Sequence, residues 1–428
     1  ADDEAAVVMH TTDSILNLNA GGDVAQDVII TATTDGFGTI NIFDATDDAA
    51  GGTTTLAAAS LIGTTGNRIG TLNIGKSDGT KAGNLVTVND GAVFADAINI
   101  TGGNHADEDS MLSAIEAVSA TAITLSATGG ADATLKTLTA TVAVAGTVDS
   151  ASGTDGAGFT IIDADIATQF SGNVGATVAI EKMDIAAIKV DLDGATNAIE
   201  SINFSADGEL EFGTGADQTL TGTIVAATNE HGTVENGSTT GTLTISGAIG
   251  AEDKRVKEIA LLDNTDTTFQ SAVFALDLDI DTAAADDVTT FTIGNVIGDD
   301  GTTAGALDVA GGTIVLDTAV VSGTTVFDTK EVNNADAGVE LRALVVQPAA
   351  NFTNGTVTFI DGATAATIDA ADVAGVSITD TALTDFTVNI TAAVADVTIT
   401  AAAKSAATTA TELSISTNEA TAIHQLME

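Results

Sequence analysis

The chain contains no cysteine, tryptophan or tyrosine, and it has a single proline, Pro348. The absence of cysteine excludes disulfide bonds, thiolate zinc sites and thiol catalysis, but it does not specify a cellular compartment. All aromatic residues are phenylalanines, 14 in number, and they make up 3% of the chain. A core of small aliphatic residues and threonine, with 44 glycines, suits closely stacked β-layers better than a broad globular core.

Basic residues are also scarce, since 12 lysines and arginines face 60 acidic residues and give a formal net charge of −48. Phosphate binding needs clustered basic side chains, so we expect that the chain binds neither nucleic acid nor an anionic membrane surface. Copies of the chain should repel one another, so a homo-oligomer must neutralise its carboxylates with cations. Carboxylates are ligands that Ca²⁺ prefers, which makes Ca²⁺ the expected cofactor.

Long apolar runs are missing as well. None approaches the roughly 18 residues of a spanning helix, so we expect no transmembrane segment. The hydrophobic fraction of 44% nevertheless excludes a disordered acidic tail. The chain begins at Ala1 in an Ala- and Asp-rich run, as expected of a terminus left by signal peptidase or of an artificial boundary.

One stretch shows the prevailing pattern most clearly: Phe274-Ala275-Leu276-Asp277-Leu278-Asp279-Ile280-Asp281. Ala275 and the three aspartates occupy one set of alternate positions, and large apolar residues occupy the other. Successive side chains of a β-strand point to opposite faces, so this pattern predicts a strand with one apolar and one acidic face. Three carboxylates about 7 Å apart in a row repel one another unless water or a cation intervenes.

A short unit of Gly-Thr followed by apolar residues at alternate positions recurs along the chain, at Gly38–Ile42, Gly70–Ile74, Gly241–Ile245, Gly312–Leu316 and Gly355–Phe359. The glycine supplies a turn, the threonine begins a strand, and the apolar residues share a face. The spacing is irregular and matches no well-known repeat length. These units predict an all-β protein, either an elongated β-solenoid or a series of tandem β-domains.

The segment Ile199–Phe212 bears on that choice. It contains Asp207-Gly208 between two alternating runs, which predicts either a β-hairpin or a sharp corner. A hairpin would favour tandem antiparallel sandwiches, whereas a parallel solenoid stacks its strands without hairpins.

One segment departs from the β-pattern. Apolar residues at Met111, Leu112, Ile115 and Val118 have helical spacing, with acidic residues before them, and predict a short helix near 107–118. A weaker helical pattern covers 252–262 and is equally compatible with a strand. Composition and spacing divide the chain into four expected regions: a β-region at 1–105, the short helix with strands at 106–150, a central β-region at 151–250 and a C-terminal β-region at 251–428.

Closely spaced aspartates are the candidate metal ligands. Where such residues meet backbone carbonyls in Gly-rich loops they can build Ca²⁺ sites, although solvated strand faces and turn caps produce the same pattern. Neither an EF-hand loop nor the nonapeptide of calcium-binding β-rolls is present. The candidate ligands are Asp191, Asp193, Asp277, Asp279, Asp281, Asp299 and Asp300, and Asp163/Asp165 is a further pair.

Catalytic signatures are lacking. No Gly-x-Ser-x-Gly motif occurs, the four histidines are far apart in sequence, and the chain offers neither aromatic platforms nor many cations for anionic sugars. We therefore expect no enzyme. The one basic cluster, Lys254-Arg255-Val256-Lys257, is either a docking point for an acidic partner or a neighbouring subunit, or a solvated patch.

Strands such as Gly70-Thr71-Leu72-Asn73-Ile74-Gly75 and Ala97-Ile98-Asn99-Ile100-Thr101-Gly102-Gly103 resemble those of bacterial surface-layer (S-layer) proteins and of β-solenoid passengers of autotransporters. S-layer proteins are typically acidic, free of cysteine and rich in small residues, as this chain is. The resemblance implies a secreted, extracellular cell-surface protein that self-assembles into a lattice, often with Ca²⁺, and is anchored to surface polysaccharide or lipopolysaccharide. The alternative is a filament-forming or adhesive β-protein, and a polysaccharide-active β-helix enzyme is a third hypothesis.

Overall fold

The computed structural model describes most of residues 5–281 and a series of strands beyond them. The described ranges are 5–19, 28–43, 52–56, 60–75, 84–88, 92–102, 109–114, 116–127, 130–138, 142–151, 158–186, 188–213, 216–251, 253–262 and 266–281, followed by 288–291, 296–297, 307–309, 313–316, 322–328, 343–346, 354–360, 376–378, 385–390, 399–401 and 412–417. The chain divides into two compact units, residues 1–209 and 210–428.

The first unit consists of short strands joined by corners. Its strands are β1 (Ala5–Met9), β2 (Ile15–Asn19), β3 (Val28–Ala32), β4 (Phe37–Phe43), β5 (Gly52–Leu56), β6 (Leu61–Ile62), β7 (Ile69–Gly75), β8 (Asn84–Val88), β9 (Val93–Thr101), β10 (Ser110–Ala114), β11 (Val118–Ser126), β12 (Ala133–Thr137), β13 (Val142–Ser150), β14 (Thr160–Ala164), β15 (Thr168–Phe170), β16 (Ile180–Ile185), β17 (Lys189–Leu192) and β18 (Thr196–Phe204).

The second unit continues in the same style, and the strand β19 (Glu209–Phe212) lies at the boundary in sequence. Its further strands are β20 (Gln218–Ala226), β21 (Thr233–Asn236), β22 (Thr242–Ile245), β23 (Val256–Leu262), β24 (Asp266–Phe269), β25 (Phe274–Asp281), β26 (Val288–Phe291), β27 (Val296–Ile297), β28 (Leu307–Val309), β29 (Thr313–Leu316), β30 (Ser322–Asp328), β31 (Ala343–Val346), β32 (Asn354–Ile360), β33 (Val376–Ile378), β34 (Asp385–Ile390), β35 (Ile399–Ala401) and β36 (Glu412–Thr417).

The first unit is a parallel β-solenoid of about eight turns with three faces. Face A contains β1, β3, β6, β15, β17 and the first parts of β9, β11 and β13. Face B contains β2, β4, β7 and the later parts of β9, β11 and β13. Face C contains β5, β8, β10, β12, β14, β16 and the end of β18. The number of residues in one turn varies: the paired residues Lys182 and Ser201 are 19 residues apart in sequence, whereas Ile29 and Leu61 are 32 apart.

The core consists of ladders in which each inward apolar residue stacks on its equivalent in the next turn. The three longest ladders in the first unit are Ile30–Ile62–Val93–Val118–Val144–Phe170–Leu192 on face A, Ile40–Leu72–Ile98–Ile123–Val148–Val174 on face B and Leu112–Leu135–Ile162–Met183–Ile202 on face C. All are at most 1% exposed. Small and medium side chains fill most of this narrow interior, and the buried aromatic residues Phe170 and Phe204 lie in its last two turns.

Long strands bend where they pass from one face to the next. In β9, Val93 and Ala95 point inward on face A, and Ile98 and Ile100 point inward on face B. The inward positions therefore shift by one residue between Ala95 and Ile98. In the same column, the register between β11 and β13 shifts between Ser119 and Ala122. An extra residue in a strand bends it, which makes these shifts the corners of the solenoid.

Asparagine side chains form a ladder on the outer side of face B. The side-chain amide Nδ2 of Asn41 donates to the side-chain Oδ1 of Asn17 at 2.9 Å. In the same way, Nδ2 of Asn73 donates to Oδ1 of Asn41 at 2.8 Å, and Nδ2 of Asn99 donates to Oδ1 of Asn73 at 2.8 Å. Each bond joins equivalent positions of successive turns, so the ladder reinforces the register set by the backbone.

The second unit is also built from parallel strand pairs. One series runs β20, β22, β24, β26, β29, β31, β33 and β35, and another contains β21, β23, β25 and β28. Each Gly-Thr unit singled out in the sequence contributes to a strand, namely β4, β7, β22, β29 and β32. Two of their glycines, Gly38 and Gly241, have φ angles of 83° and 93°, as a turn-forming glycine requires.

The Asp207-Gly208 segment is a corner. Before it, β18 pairs in parallel with β16 of the preceding turn. After it, the N–H of Glu209 donates to the carbonyl of Ile188 at 2.7 Å. The chain therefore turns without folding back on itself, and the parallel registers decide for the solenoid over antiparallel sandwiches.

The predicted helix near 107–118 is wrong. Ser110–Ala114 is β10, and Val118 begins β11. The residues described by the structure contain no helix, and hence none that could cross a membrane. The apolar spacing that resembled a helix comes from two short strands on either side of a corner, where the inward positions restart. Stacking of Leu112 on Leu135 outweighs local helix propensity. Of the two interpretations of 252–262, the strand is correct, as β23.

The predicted strand at Phe274–Asp281 is confirmed as β25, but its alternation is not strict. Ala275 is fully buried and Leu276 is 6% exposed, so two consecutive side chains are buried. Ala275 was expected on the acidic face. It is instead in register with the buried Val256. At this point the inward-pointing residues change from one set of alternate positions to the other.

Candidate functional site

The predicted ligands Asp191 and Asp193 lie at the outer side of face A. Val190, which precedes Asp191, and Leu192, which lies between the two aspartates, are buried. The Asp193 carboxylate accepts a hydrogen bond from the Gln169 side-chain amide at 2.7 Å. Nowhere in the described part of the chain do three or more Asp, Glu or His side chains converge as a metal site would require. The structure thus brings these two aspartates together on one edge and adds no third acidic ligand.

The strand β25 places its aspartates beside other acidic positions. The backbone of Asp277 is in register with Glu258, and that of Asp279 is in register with Asp308. Paired positions of neighbouring strands lie about 4.8 Å apart. Acidic positions therefore occur in successive turns as well as along one strand. Asp299 and Asp300 lie outside the described residues.

The pair Asp163 and Asp165 is neutralised from within the chain. The ammonium group of Lys136 contacts the Asp163 carboxylate and lies 2.6 Å from that of Asp165. Partial burial acts to lower the pKa of Lys136, but hydrogen bonds and charges from the two aspartates outweigh it, so the pKa is raised above its ordinary value of 10.5. A lysine here does what a bound cation would do.

Replacing Lys136 with methionine should destabilise the protein by about 1–2 kcal/mol, because it leaves Asp163 and Asp165 without their counter-charge. Since the pKa of Lys136 is raised on folding, its contribution is complete below pH 10.5 and is lost as the pH rises through the folded-state pKa. Urea unfolding at several pH values should show the difference between the two proteins shrinking above that point.

The control is Lys189→Met. The Lys189 ammonium lies 2.7 Å from the carboxylate of Glu209 alone, and the lysine side chain is 41% exposed, against 19% for Lys136. This variant should lose less than about 1 kcal/mol. Equal losses in the two variants would show that Lys136 has no special role in holding its carboxylates.

Other carboxylates serve as caps between turns. The Asp109 carboxylate accepts the backbone N–H of Asp132 at 2.8 Å, and the Asp132 carboxylate accepts that of Phe159 at 2.8 Å. In the same way, the backbone N–H groups of Arg68, Thr177 and Thr242 donate to the carboxylates of Asp35, Asp149 and Asp217, respectively. Corner N–H groups outside the strand ladders thus obtain acceptors, so part of the acidity is structural.

Arg68 fills the corner between faces A and B, and sequence reasoning missed it. Its guanidinium donates to the carbonyls of Ala95 at 2.5 Å and Ser119 at 2.9 Å, and to the Ser119 hydroxyl at 3.1 Å. Its Nε lies 3.2 Å from the Asp96 carboxylate, and the side chain is 18% exposed. Ala95 and Ser119 belong to the two following turns, so one side chain joins three turns.

The same corner occurs in the second unit around Arg255, which is 5% exposed. Its N–H donates to the Asn229 side chain at 2.9 Å and its carbonyl accepts the N–H of Glu230 at 2.8 Å, as Arg68 does with Asp35 at 2.8 Å and Gly36 at 3.1 Å. The signal was present as Ile-Gly, four residues, then Arg and a β-branched residue, at 62–69 and 249–256. Because Arg255 is buried, residues 254–257 do not form one solvent-facing basic cluster.

No family model, curated protein or solved structure in the comparisons matches this chain. The β-solenoid character expected from the S-layer and autotransporter resemblance is present in the fold. The resemblance to S-layer proteins themselves rests on composition and strand style.

Proposed function

We propose that the protein is a structural component of the cell surface that assembles with copies of itself into an S-layer, with Ca²⁺ bridging acidic faces of neighbouring subunits. The proposal places it outside the cell, anchored to surface polysaccharide or lipopolysaccharide, and assigns it no catalytic activity. It follows from the distribution of charge on a parallel β-solenoid.

The observation that carries this proposal is that the described cations of the first unit are engaged within the chain. Arg68 lies beside Asp96, Lys136 binds two aspartates, Lys189 binds Glu209, and the ammonium of Lys182 lies 3.1 Å from the centre of the Phe159 ring. These residues have little positive charge to offer a second acidic copy. With 60 acidic residues against 12 basic ones, close association requires cations from solution.

The carboxylates differ in how available they are to such cations. Those of Asp163 and Asp165 are held by Lys136, and those of Asp109 and Asp132 accept backbone N–H groups. The rows at Glu258/Asp277 and Asp279/Asp308 place acidic positions in adjacent turns, where a divalent ion from solution relieves repulsion best. We therefore assign ion bridging to this acidic row of β23, β25 and β28.

The test is electron microscopy of the purified protein in millimolar Ca²⁺ and again after chelation, with Mg²⁺ as a control for divalent charge alone. We expect ordered sheets in Ca²⁺ that dissolve on chelation, because bridging carboxylates are then left uncompensated. Fibres that are indifferent to Ca²⁺ would favour the filament-forming alternative. Monodisperse protein under every condition would refute self-assembly and make an adhesive or polysaccharide-active role the next hypothesis to test.

A further inference from the structure

The outer side of face A carries little charge over the first six turns, where its described charges are the paired Arg68 and Asp96 at the corner with face B; Arg68 also donates to the hydroxyl of Ser119. Between Ala5 and Phe170 its strands contribute no acidic or basic side chain, apart from Asp96 at the corner with face B. Its outward residues in these six turns are Ala6, Val8, Ile29, Thr31, Leu61, Phe94, Ser119, Ala143 and Ala145. The first charged positions on this face away from that corner are Lys189 and Asp191, in the last turn of the unit.

Most of this surface is apolar. Val8 is 43% exposed, and Ile29 and Leu61 are adjacent in register and half-buried. Phe94 lies beside Gly63 one turn further on, where a side chain on the glycine would meet the Phe94 backbone. A contiguous apolar patch that solvent reaches marks an interaction site.

Face C shows the opposite character. Its strands present Lys136, Asp163, Lys182 and Asp184 on neighbouring turns. Face B is nearly uncharged but polar, since its central row is the asparagine ladder from Asn17 to Asn99. Among the described faces of the first unit, face A therefore has the smallest free-energy cost of desolvation.

We propose that face A of the first six turns, from β1 to β13, docks against a second copy of this chain. The charge of the molecule selects that occupant, because two copies with a net charge of −48 can approach closely without bridging cations only through a surface that has few carboxylates. Two such faces bring few like charges together. This inference rests on the proposed self-assembly and names the apolar contact that would accompany the Ca²⁺ bridges.

The size of the face sets the strength of the contact. Six strands about 4.8 Å apart and about 13 Å long present roughly 400 Å² on each copy. A stable dimer buries about 800 Å² per partner. Face A should therefore hold two copies together only when other contacts of the assembly, such as ion bridges, act with it.

The test uses a matched pair of substitutions at outward isoleucines. Ile29→Glu places a carboxylate on face A, and Ile161→Glu places one on face C, beside Lys182 in register. We expect Ile29→Glu to raise the protein concentration needed for assembly in Ca²⁺ by about tenfold or more, because an unpaired charge is buried in the contact. Ile161→Glu should assemble as the unmodified protein does, and circular dichroism should show both variants folded.

The absence of cysteine allows a second, independent measurement. Single cysteines at Thr31 and Ala143 on face A, at Thr71 on face B and at Thr134 on face C give one thiol each, and a bis-maleimide joins thiols of adjacent copies. Mixed Thr31→Cys and Ala143→Cys proteins should cross-link when assembled, and Thr134→Cys should not. If the protein assembles but only face B or C thiols react, the contact on face A is refuted while self-assembly stands. If nothing assembles or cross-links, both are refuted.

Discussion

Replacing Arg68 with alanine should lower the free energy of unfolding by about 3 kcal/mol, which corresponds to a fall of about 6–12 °C in the unfolding midpoint. The guanidinium donates to two backbone carbonyls, those of Ala95 and Ser119, at a corner where the strand register shifts. Without the side chain, these part-buried acceptors lose a charged donor and Asp96 loses its counter-charge. Thermal unfolding followed by far-UV circular dichroism measures the effect in a chain without tryptophan.

Two variants separate the parts of this contribution. Arg68→Lys keeps the charge beside Asp96 but cannot reach Ala95 and Ser119 with the same planar set of donors, so it should recover less than half of the loss. Asp96→Asn removes the carboxylate, which is 45% exposed, and should cost less than about 1 kcal/mol. An Arg68→Ala variant no less stable than Asp96→Asn would show that the corner carbonyls are satisfied without the arginine.

The sequence was informative where one rule governs both local and long-range structure. The period of two in Gly38–Ile42 and Gly70–Ile74 predicted strands, and these form β4 and β7 with their apolar residues inward. The same rule failed at corners. In β25, burial of both Ala275 and Leu276 breaks the alternation, because the strand turns from one face to the next. Only the stacking of successive turns determines where that break occurs.

The candidate site was less predictable because a sequence does not show which carboxylates already have partners. Asp163 and Asp165 were equivalent to Asp191 and Asp193 as closely spaced aspartates. The fold places Lys136, 27 residues before Asp163, between the first pair, and Gln169 beside the second. Turns of variable length make such partners impossible to assign by counting residues. The number of turns between two residues, and not their distance in sequence, decides which side chains meet.

Replacing Gly146 with alanine should destabilise the protein by about 4 kcal/mol. Gly146 has a φ of 106°, which side-chain-bearing residues rarely adopt, and a Cβ there would run into the backbone carbonyl of Ala120 in the preceding turn. That backbone cannot yield without separating β11 from β13. Gly66, at the Arg68 corner, is the matched control, because a Cβ there meets no atom within 4 Å. Gly66→Ala should lower the free energy of unfolding, measured by urea unfolding, by less than about 0.5 kcal/mol. It could even increase that free energy, since alanine restricts the unfolded chain. Equal effects of the two substitutions would contradict the close stacking of successive turns at the corners of the solenoid.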